Sequence, residues 1–420
     1  MKKIKFRRNL TFLYYFIFLV FFIPKTGAQE LENFREYSGT VVNAVTGDPV
    51  EAVSLTIKDH NISTITNTDG AFTLKIPNEI TSEVLQIADL GFQLKEISLS
   101  QLSQDIEIRL TPAITTLPEI SILGYKDAEA LVRKLFKEKD NSDINTPLLM
   151  TAFYRETIKR RNRDVSLTEA VVNLYKQPYA SSKKDMIELH KARKSTDYKR
   201  LDTVALKLQG GPFSTLYLDM MKYPDFIFTD ESIDYYSFNF EPSSTINGKP
   251  VYVIGFQPKV EDGLPSFKGK LFVASDQLAL AGADFFMELG NTDEASKIFV
   301  KKKPRDIIVT PKEATYHIDY REKNGKWYYG YGSVSLSFKV NQKGKLFNSN
   351  YTISSEMAVT DWKLIEENQK PETKMKPTVV MTDEKFGFAD PDFWGLYNVI
   401  EPEKSIESAI NKIQRKLKRQ

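Results

Sequence analysis

Only a few residues of this 420-residue chain have types suited to chemistry. There are three histidines and no cysteine, so disulfides, thiolate nucleophiles and Cys-type metal sites are excluded. His60 falls in a turn. His190 is followed by Lys191-Ala192-Arg193, and none of the three fits a His-Glu-x-x-His or His-x-x-Glu zinc pattern. His317 and Asp319 are two apart on an expected strand, so both side chains fall on one face; two ligands are too few for a catalytic zinc. Gly330-Tyr331-Gly332-Ser333 comes nearest to a nucleophile elbow and fails the spacing. No Gly-rich phosphate loop occurs. Asp390 and Asp392 are the first suspects for a carboxylate pair, but the aromatic residues around them, Phe388, Phe393 and Trp394, read as an anchor for the C-terminal segment. No residue is assigned as catalytic, cofactor-binding or metal-ligating, and no cofactor is expected.

Charge and leader composition set the compartment. Lys2, Lys3, Lys5, Arg7 and Arg8 precede an apolar run from Leu10 to Ile23, Pro24 breaks it, and Thr26-Gly27-Ala28 offers small residues before Gln29. This is the pattern of a secretory signal over residues 1–28, and the run is shorter than the roughly 20 residues needed to span a bilayer. No cysteine at the cut site means no lipoprotein anchor, and no later stretch is apolar enough to cross. Six of the 58 Lys and Arg lie in this leader, which has no acid, so the rest of the chain has 52 bases against 55 acids. The basic footprint that nucleic acid needs is absent.

The elements that must position any site are strands. The high aromatic content, with 27 Phe and 20 Tyr, suits pleated surfaces. Residues 36–111 read as about seven short strands with alternating apolar residues: Val53, Leu55, Ile57; Phe72, Leu74, Ile76; Ile106, Ile108, Leu110. Two packed antiparallel sheets are expected. Thr46-Gly47-Asp48-Pro49 and Asn67-Thr68-Asp69-Gly70 are turns, the latter a plain hairpin and not a calcium loop, since further spaced carboxylates are missing. Gly39–Asn43, Thr46–Val50, Val53–Ile57, Thr68–Phe72 and Leu90-Gly91-Phe92 together resemble the carboxypeptidase-like regulatory domain, which stands at the N-terminus of many TonB-dependent outer-membrane receptors of Bacteroidetes-type bacteria. The resemblance implies a transthyretin-like (prealbumin-like) sandwich with a folding or docking role, and no peptidase activity.

Residues 112–149 read as a linker and a helix over 126–139, with Ala128, Leu131, Val132, Leu135 and Phe136 on one face. Residues 150–400 read as one large antiparallel, curved sheet with few helices. Strands are expected at 152–158, 165–175, 235–240, 251–257, 269–274, 279–287, 314–321, 327–340 and 350–359, with hairpin turns at Arg160–Arg163, Asn247-Gly248 and Asn324-Gly325. Trp327, Tyr329 and Tyr331 are placed on one sheet face, and Gly210-Gly211-Pro212 opens a short helix. Residues 401–420 read as a C-terminal helix. Phe153-Tyr154-Arg155-Glu156 with Val165–Val171 resembles envelope proteins carrying the same regulatory domain, and Lys268–Val273 with Ala279–Met287 is similar in kind to the half-barrel of lipoprotein carriers, which cups an apolar ligand. The fold class is therefore mainly β: a seven-stranded sandwich followed by a larger curved sheet. The function expected is a non-catalytic, exported binding or scaffold protein at the periplasmic side of the outer membrane. Its partner is an envelope protein or an apolar ligand such as lipid, cupped by residues such as Phe272, Phe285 and Phe286. An accessory subunit of an outer-membrane assembly and a hydrolase of unknown type stay open as alternatives.

Overall fold

The computed structural model describes residues 33–113, 127–139, 143–196, 210–229, 231–299, 305–344, 348–381, 391–403 and 406. The leader 1–28 lies outside them, as does the expected terminal helix over 401–420 apart from 401–403 and 406.

The N-terminal sandwich comprises β1 (Phe34–Asn43), β2 (Ser54–Ile57), β3 (Ser63–Ile65), β4 (Ala71–Pro77), β5 (Val84–Ala88), β6 (Lys95–Ser98) and β7 (Ile106–Leu110). A three-stranded sheet in the order β4-β1-β7 faces a four-stranded sheet in the order β3-β2-β5-β6. Alternation builds the core: Val41, Leu55, Ile57, Phe72, Leu74, Ile76, Ile87 and Ile108 are buried in one cluster. One expectation is corrected, because β1 and β7 pair in parallel. β6 belongs to the other sheet, so the chain reaches β1 by a crossover and not by a hairpin, and a crossover permits a parallel pair.

Next comes α1 (Ala128–Lys137), capped by Asp127, whose carboxylate accepts from the backbone N–H groups of Glu129 and Ala130. The large sheet then begins with β8 (Leu148–Arg160), β9 (Arg163–Lys176) and β10 (Met186–Thr196). After α2 (Phe213–Leu216) it continues with β11 (Tyr236–Ile246), β12 (Lys249–Pro258), β13 (Ser266–Ala274) and β14 (Ala279–Glu288). Beyond α3 (Thr292–Phe299) lie β15 (Ile307–Lys323), β16 (Lys326–Gln342) and β17 (Ser349–Leu364). All ten strands are antiparallel to their neighbours, in the order β10-β9-β8-β17-β16-β15-β14-β13-β12-β11. Both Asn-Gly turns take the left-handed backbone their type requires, with φ of 52° and 75° at Asn247-Gly248 and again at Asn324-Gly325. The turn at Arg161-Asn162 also has positive φ, at 47° and 59°.

Sequence reasoning misses β10 and α3. β10 reads Glu188-Leu-His-Lys-Ala-Arg-Lys194, with too few apolar residues to look like a strand; it is an edge strand, where charge is favoured because it discourages pairing with other chains.

Each face of the sheet has its own fate. One face is filled. α1, α2 and the chain from 210 to 236 bury it, and Phe228 packs its ring against Phe136 of α1, Phe238 of β11 and Phe256 of β12. At the other end of the same segment Asp219 accepts from Lys176 Nζ of β9 at 2.5 Å and from Tyr320 OH of β15 at 2.8 Å. One short segment touching β9, β15 and β12 means that the sheet curls around it.

Glu156 is buried on this face. Tyr154 OH donates to its Oε2 at 2.9 Å, and its Oε1 has no partner. Burial lifts its pKa from the ordinary 4.5 to about 7, against the opposing pull of the Tyr154 hydrogen bond. The neutral carboxyl is the form the fold favours. Its stabilising contribution is complete below pH 4.5 and is lost as pH rises through 7. Glu156→Gln is therefore expected to flatten the stability profile between pH 4.5 and 7 and to be more stable than the native protein at pH 8, by an amount on the order of 3 kcal/mol. Urea unfolding at a series of pH values checks this, and an unchanged pH slope in the variant would refute it.

Candidate functional site

The opposite face is the open one. Because side chains alternate, one transverse line of residues crosses the whole sheet on this side. In direct cross-strand register it runs Arg193, Glu169, Arg155, Glu356, Ser333, His317, Asp284, Lys270, Gly255 and Asn239, from β10 to β11. Charges of opposite sign are neighbours along it. Glu169 is fully buried and accepts from Arg193 Nε at 2.7 Å and from Arg155 at 2.8 Å. Arg155, only 2% exposed, also meets Glu356 at 3.3 Å. At the far end Lys270 pairs with Glu241 at 2.6 Å. A Cβ on Gly255 would lie 2.6 Å from the Glu241 carboxylate, so any other residue there would oblige that carboxylate to shift.

The sandwich and the C-terminal segment form a roof over part of this face. Arg155 donates from Nη2 to Ile400 O at 2.6 Å and from Nη1 to Glu401 O at 3.3 Å. The sandwich holds the same segment from above: Asn67 Nδ2 donates to Glu401 O at 3.0 Å, Thr73 Oγ1 to Glu401 Oε2 at 2.6 Å, and Lys75 N to Asn398 Oδ1 at 2.6 Å. β3 also sits directly on the sheet, where Arg321 Nη1 donates to Ser63 Oγ at 2.6 Å and Ser63 Oγ donates to Val359 O at 3.1 Å. An apolar seam of Ile65, Phe153, Val171, Tyr331, Trp394 and Ile400 closes the join. Trp394 stacks edge-on against Phe153 at 5.4 Å, with Arg193 over its ring at 5.0 Å. Of the aromatic anchor read from the sequence, Trp394 and Phe393 thus pin the C-terminal segment to the sheet, and Phe388 lies outside the described residues.

Between roof and sheet lies a cavity of about 1040 Å³. Its roofed end has Glu51, Asn67, Thr68 and Glu403; its floor has Thr157, Ser333, Ser335 and Ser354; its other end has Val253, Phe272, Phe286 and Ser244. Burial, with the nearby carboxylates of Glu356 and Glu403, raises the pKa of Glu51, and burial likewise raises Glu356 although Arg155 pulls it down.

His317 stands in the middle of the floor. The structure keeps it on one face with Asp319 and adds Asp284 from β14. Nδ1 meets Asp284 Oδ1 at 2.5 Å and Nε2 meets Asp319 Oδ2 at 2.8 Å. Burial opposes charge on the ring, but Asp319 and Asp284 outweigh it and hold the pKa well above 6.5. The two flanking carboxylates favour the protonated ring, which can donate to them from both nitrogens. Ser333 is its cross-strand neighbour. Among the described residues no group of three or more His, Asp or Glu is arranged to hold a metal ion.

Other residues singled out from the sequence are scattered. His60 lies 3.7 Å from Glu83 in the sandwich, and His190 on β10 bonds Tyr397 OH at 2.7 Å. Asn67 Oδ1 accepts from the N–H groups of Asp69 and Ala71, each at 2.9 Å, which makes Asn67–Gly70 a closed turn. Asp390 lies outside the described residues, and Asp392 is described through its backbone alone. Two expectations about faces are corrected. Phe272, Phe285 and Phe286 all border the cavity, but Phe272 and Phe286 do so from the open face, whereas the Phe285 ring packs on the filled one, stacked on Tyr316 at 5.0 Å; adjacent strand residues cannot share a face. Trp327 and Tyr329 belong to the filled face and Tyr331 to the roof seam, because a bulge pairs Asp319 with Tyr331 but Tyr320 with Tyr329 and leaves Gly330 as the extra residue.

The sandwich is also recognised by comparison with known families. Residues 37–122 match the model of the CarboxypepD_reg-like domain. Among solved structures, a DUF1329 family protein from Desulfovibrio piger ATCC 29098 shows a distant similarity. The similarity covers 57% of this chain and 92% of that one, at 13% identity and a TM-score of 0.23, too low to show a shared fold. No curated protein matches the chain.

Glu169 is the residue to remove. Glu169→Gln leaves two buried guanidinium groups facing a neutral amide. Breaking one side of a buried ion pair costs about 3–5 kcal/mol. Urea unfolding is expected to show a loss of that order, and a loss below about 1 kcal/mol would mean that the row contributes little more than a surface pair.

Proposed function

We propose that the protein is a non-catalytic binding protein of the cell envelope, and that the cavity between sandwich and sheet is its ligand site. The observation that carries this reading is the cavity itself. A volume of about 1040 Å³ stands at the upper end of the range for small-molecule sites, and its lining mixes a few aromatic rings with many polar groups. Its charged groups are largely paired with each other, and its one histidine is held between two carboxylates. That arrangement of paired charges suits holding a ligand. The CarboxypepD_reg-like domain fits a docking role, here as the roof of the site. The face that would cup a lipid in a half-barrel carrier is filled by the chain's own α1 and the 210–236 segment. Export is supported by the basic and apolar leader, and among the described residues no helix is long and apolar enough to cross a membrane.

Native mass spectrometry of the protein purified gently from the envelope tests both parts. The unfolded chain is expected to have the mass of a product starting at Gln29, and the native protein to weigh more by a discrete ligand. Ser335→Trp, which puts a large ring in the cavity floor, is expected to abolish the extra mass. A native mass equal to the unfolded one, or an extra mass indifferent to the tryptophan, would contradict the assignment.

A further inference from the structure

The floor of the cavity narrows the class of ligand, and this step rests on the cavity being a binding site. One row beyond the charged line, Thr157, Ser354, Ser335 and Thr315 stand side by side on β8, β17, β16 and β15, each in direct register with the next, and the row continues into Phe286 on β14. Strand spacing repeats at about 4.8 Å, so the row spans roughly 19 Å. Ser335 and Ser354 are 3.3 Å apart and bond each other. A hydroxyl offers one donor and two acceptors, so each keeps capacity for a ligand after meeting a neighbour. Phe286 is 44% exposed at the end of the row, and Phe272 lines the cavity from the next strand.

Three ligand chemistries can be weighed against this floor. An acyl chain lying along it would cover the hydroxyls without bonding them, and an unmade hydrogen bond under a ligand is a loss. A strongly ionic ligand would find most charges already matched: Arg155 by Glu169 and Glu356, Lys159 by Glu403, Lys270 by Glu241, His317 by Asp284 and Asp319. A neutral chain of sugars satisfies both conditions. Its hydroxyls bond a row of hydroxyls, and the C–H face of a pyranose ring lies on an aromatic face. We propose that the cavity takes a short neutral oligosaccharide, with the Thr157–Ser354–Ser335–Thr315 row as its floor and Phe286 as a stacking platform.

The test is an array of neutral and acidic oligosaccharides probed with the full chain, followed by titration calorimetry on any sugar retained. In parallel, N-phenyl-1-naphthylamine fluorescence reports apolar binding. The expected result is capture of a neutral oligosaccharide, no gain from acidic ones, and loss of binding in Ser335→Trp. The nearly isosteric triple variant Thr157→Val, Ser354→Ala, Thr315→Val is expected to bind at least roughly tenfold more weakly, since three hydrogen bonds are removed, while its melting curve stays cooperative. Should only the naphthylamine bind, and be expelled by Ser335→Trp, the cavity is a site but its ligand is apolar, and the sugar inference is overturned. Capture of acidic sugars alone overturns it as well. Binding of neither probe class overturns this inference and the ligand-site reading together.

Discussion

The buried carboxylate of Glu169 between Arg155 and Arg193 is the interaction on which the arrangement of the two domains depends. Taking three charges out of water costs several kcal/mol for each ion, and their mutual attraction repays this only when geometry and further hydrogen bonds are good. Here the surplus donors of Arg155 are used by the backbone carbonyls of Ile400 and Glu401. The ion pairs therefore do more than satisfy one another. They convert the middle of a sheet face into a fixed point for the C-terminal segment, and that segment is what the sandwich grips through Asn67, Thr73 and Lys75.

The second constraint is the two-residue period of the strands. It gives one sheet two unlike surfaces. Val334, Leu336 and Phe338 point into the filled side, while Ser333, Ser335 and Ser337 between them point to the open one. The apolar side is occupied by α1 and the segment from 210 to 236, which themselves need covering, so the sheet curls around them. What is left for function is the polar side. Small hydroxyl residues keep that floor low, and the sandwich standing over it leaves a space instead of closing down to contact. Buried polar groups are tolerated here because nearly every charge in the row has a partner of opposite sign.

Much of this was legible in the sequence. Seven short alternating runs with Gly- and Asp-containing turns specified the sandwich, and two Asn-Gly turns with long alternating strands specified hairpins of the large sheet. The strand Ser333–Val340 shows its hydroxyl and apolar faces at a glance. Trp394 and Phe393 read as an anchor and serve as one. What could not be read depends on register. Asp284 joins His317 from 33 positions away, and only strand pairing brings them together. The bulge at Gly330 turns Tyr331 to the opposite side from Tyr329, which no alternation rule foresees without knowing that one residue is unpaired. β10 was hidden because an edge strand favours the charged residues that make it look like a loop. The charge row was invisible for a related reason: Arg155, Glu169, Arg193 and Glu356 each look like ordinary surface charges until four strands align them.

The account stands on the claim that the charge row fixes the roof over the cavity. Hydrogen exchange at single-residue resolution tests it most directly, comparing the native protein with Arg155→Met. The native amide of Lys75, which donates to Asn398 Oδ1 across the join, is expected to be protected nearly as well as those of the sheet, and to lose that protection in the variant while Leu55 and Ile57 inside the sandwich keep theirs. Rapid exchange at the join in the native protein, or protection there that survives the loss of Arg155, would contradict the claim.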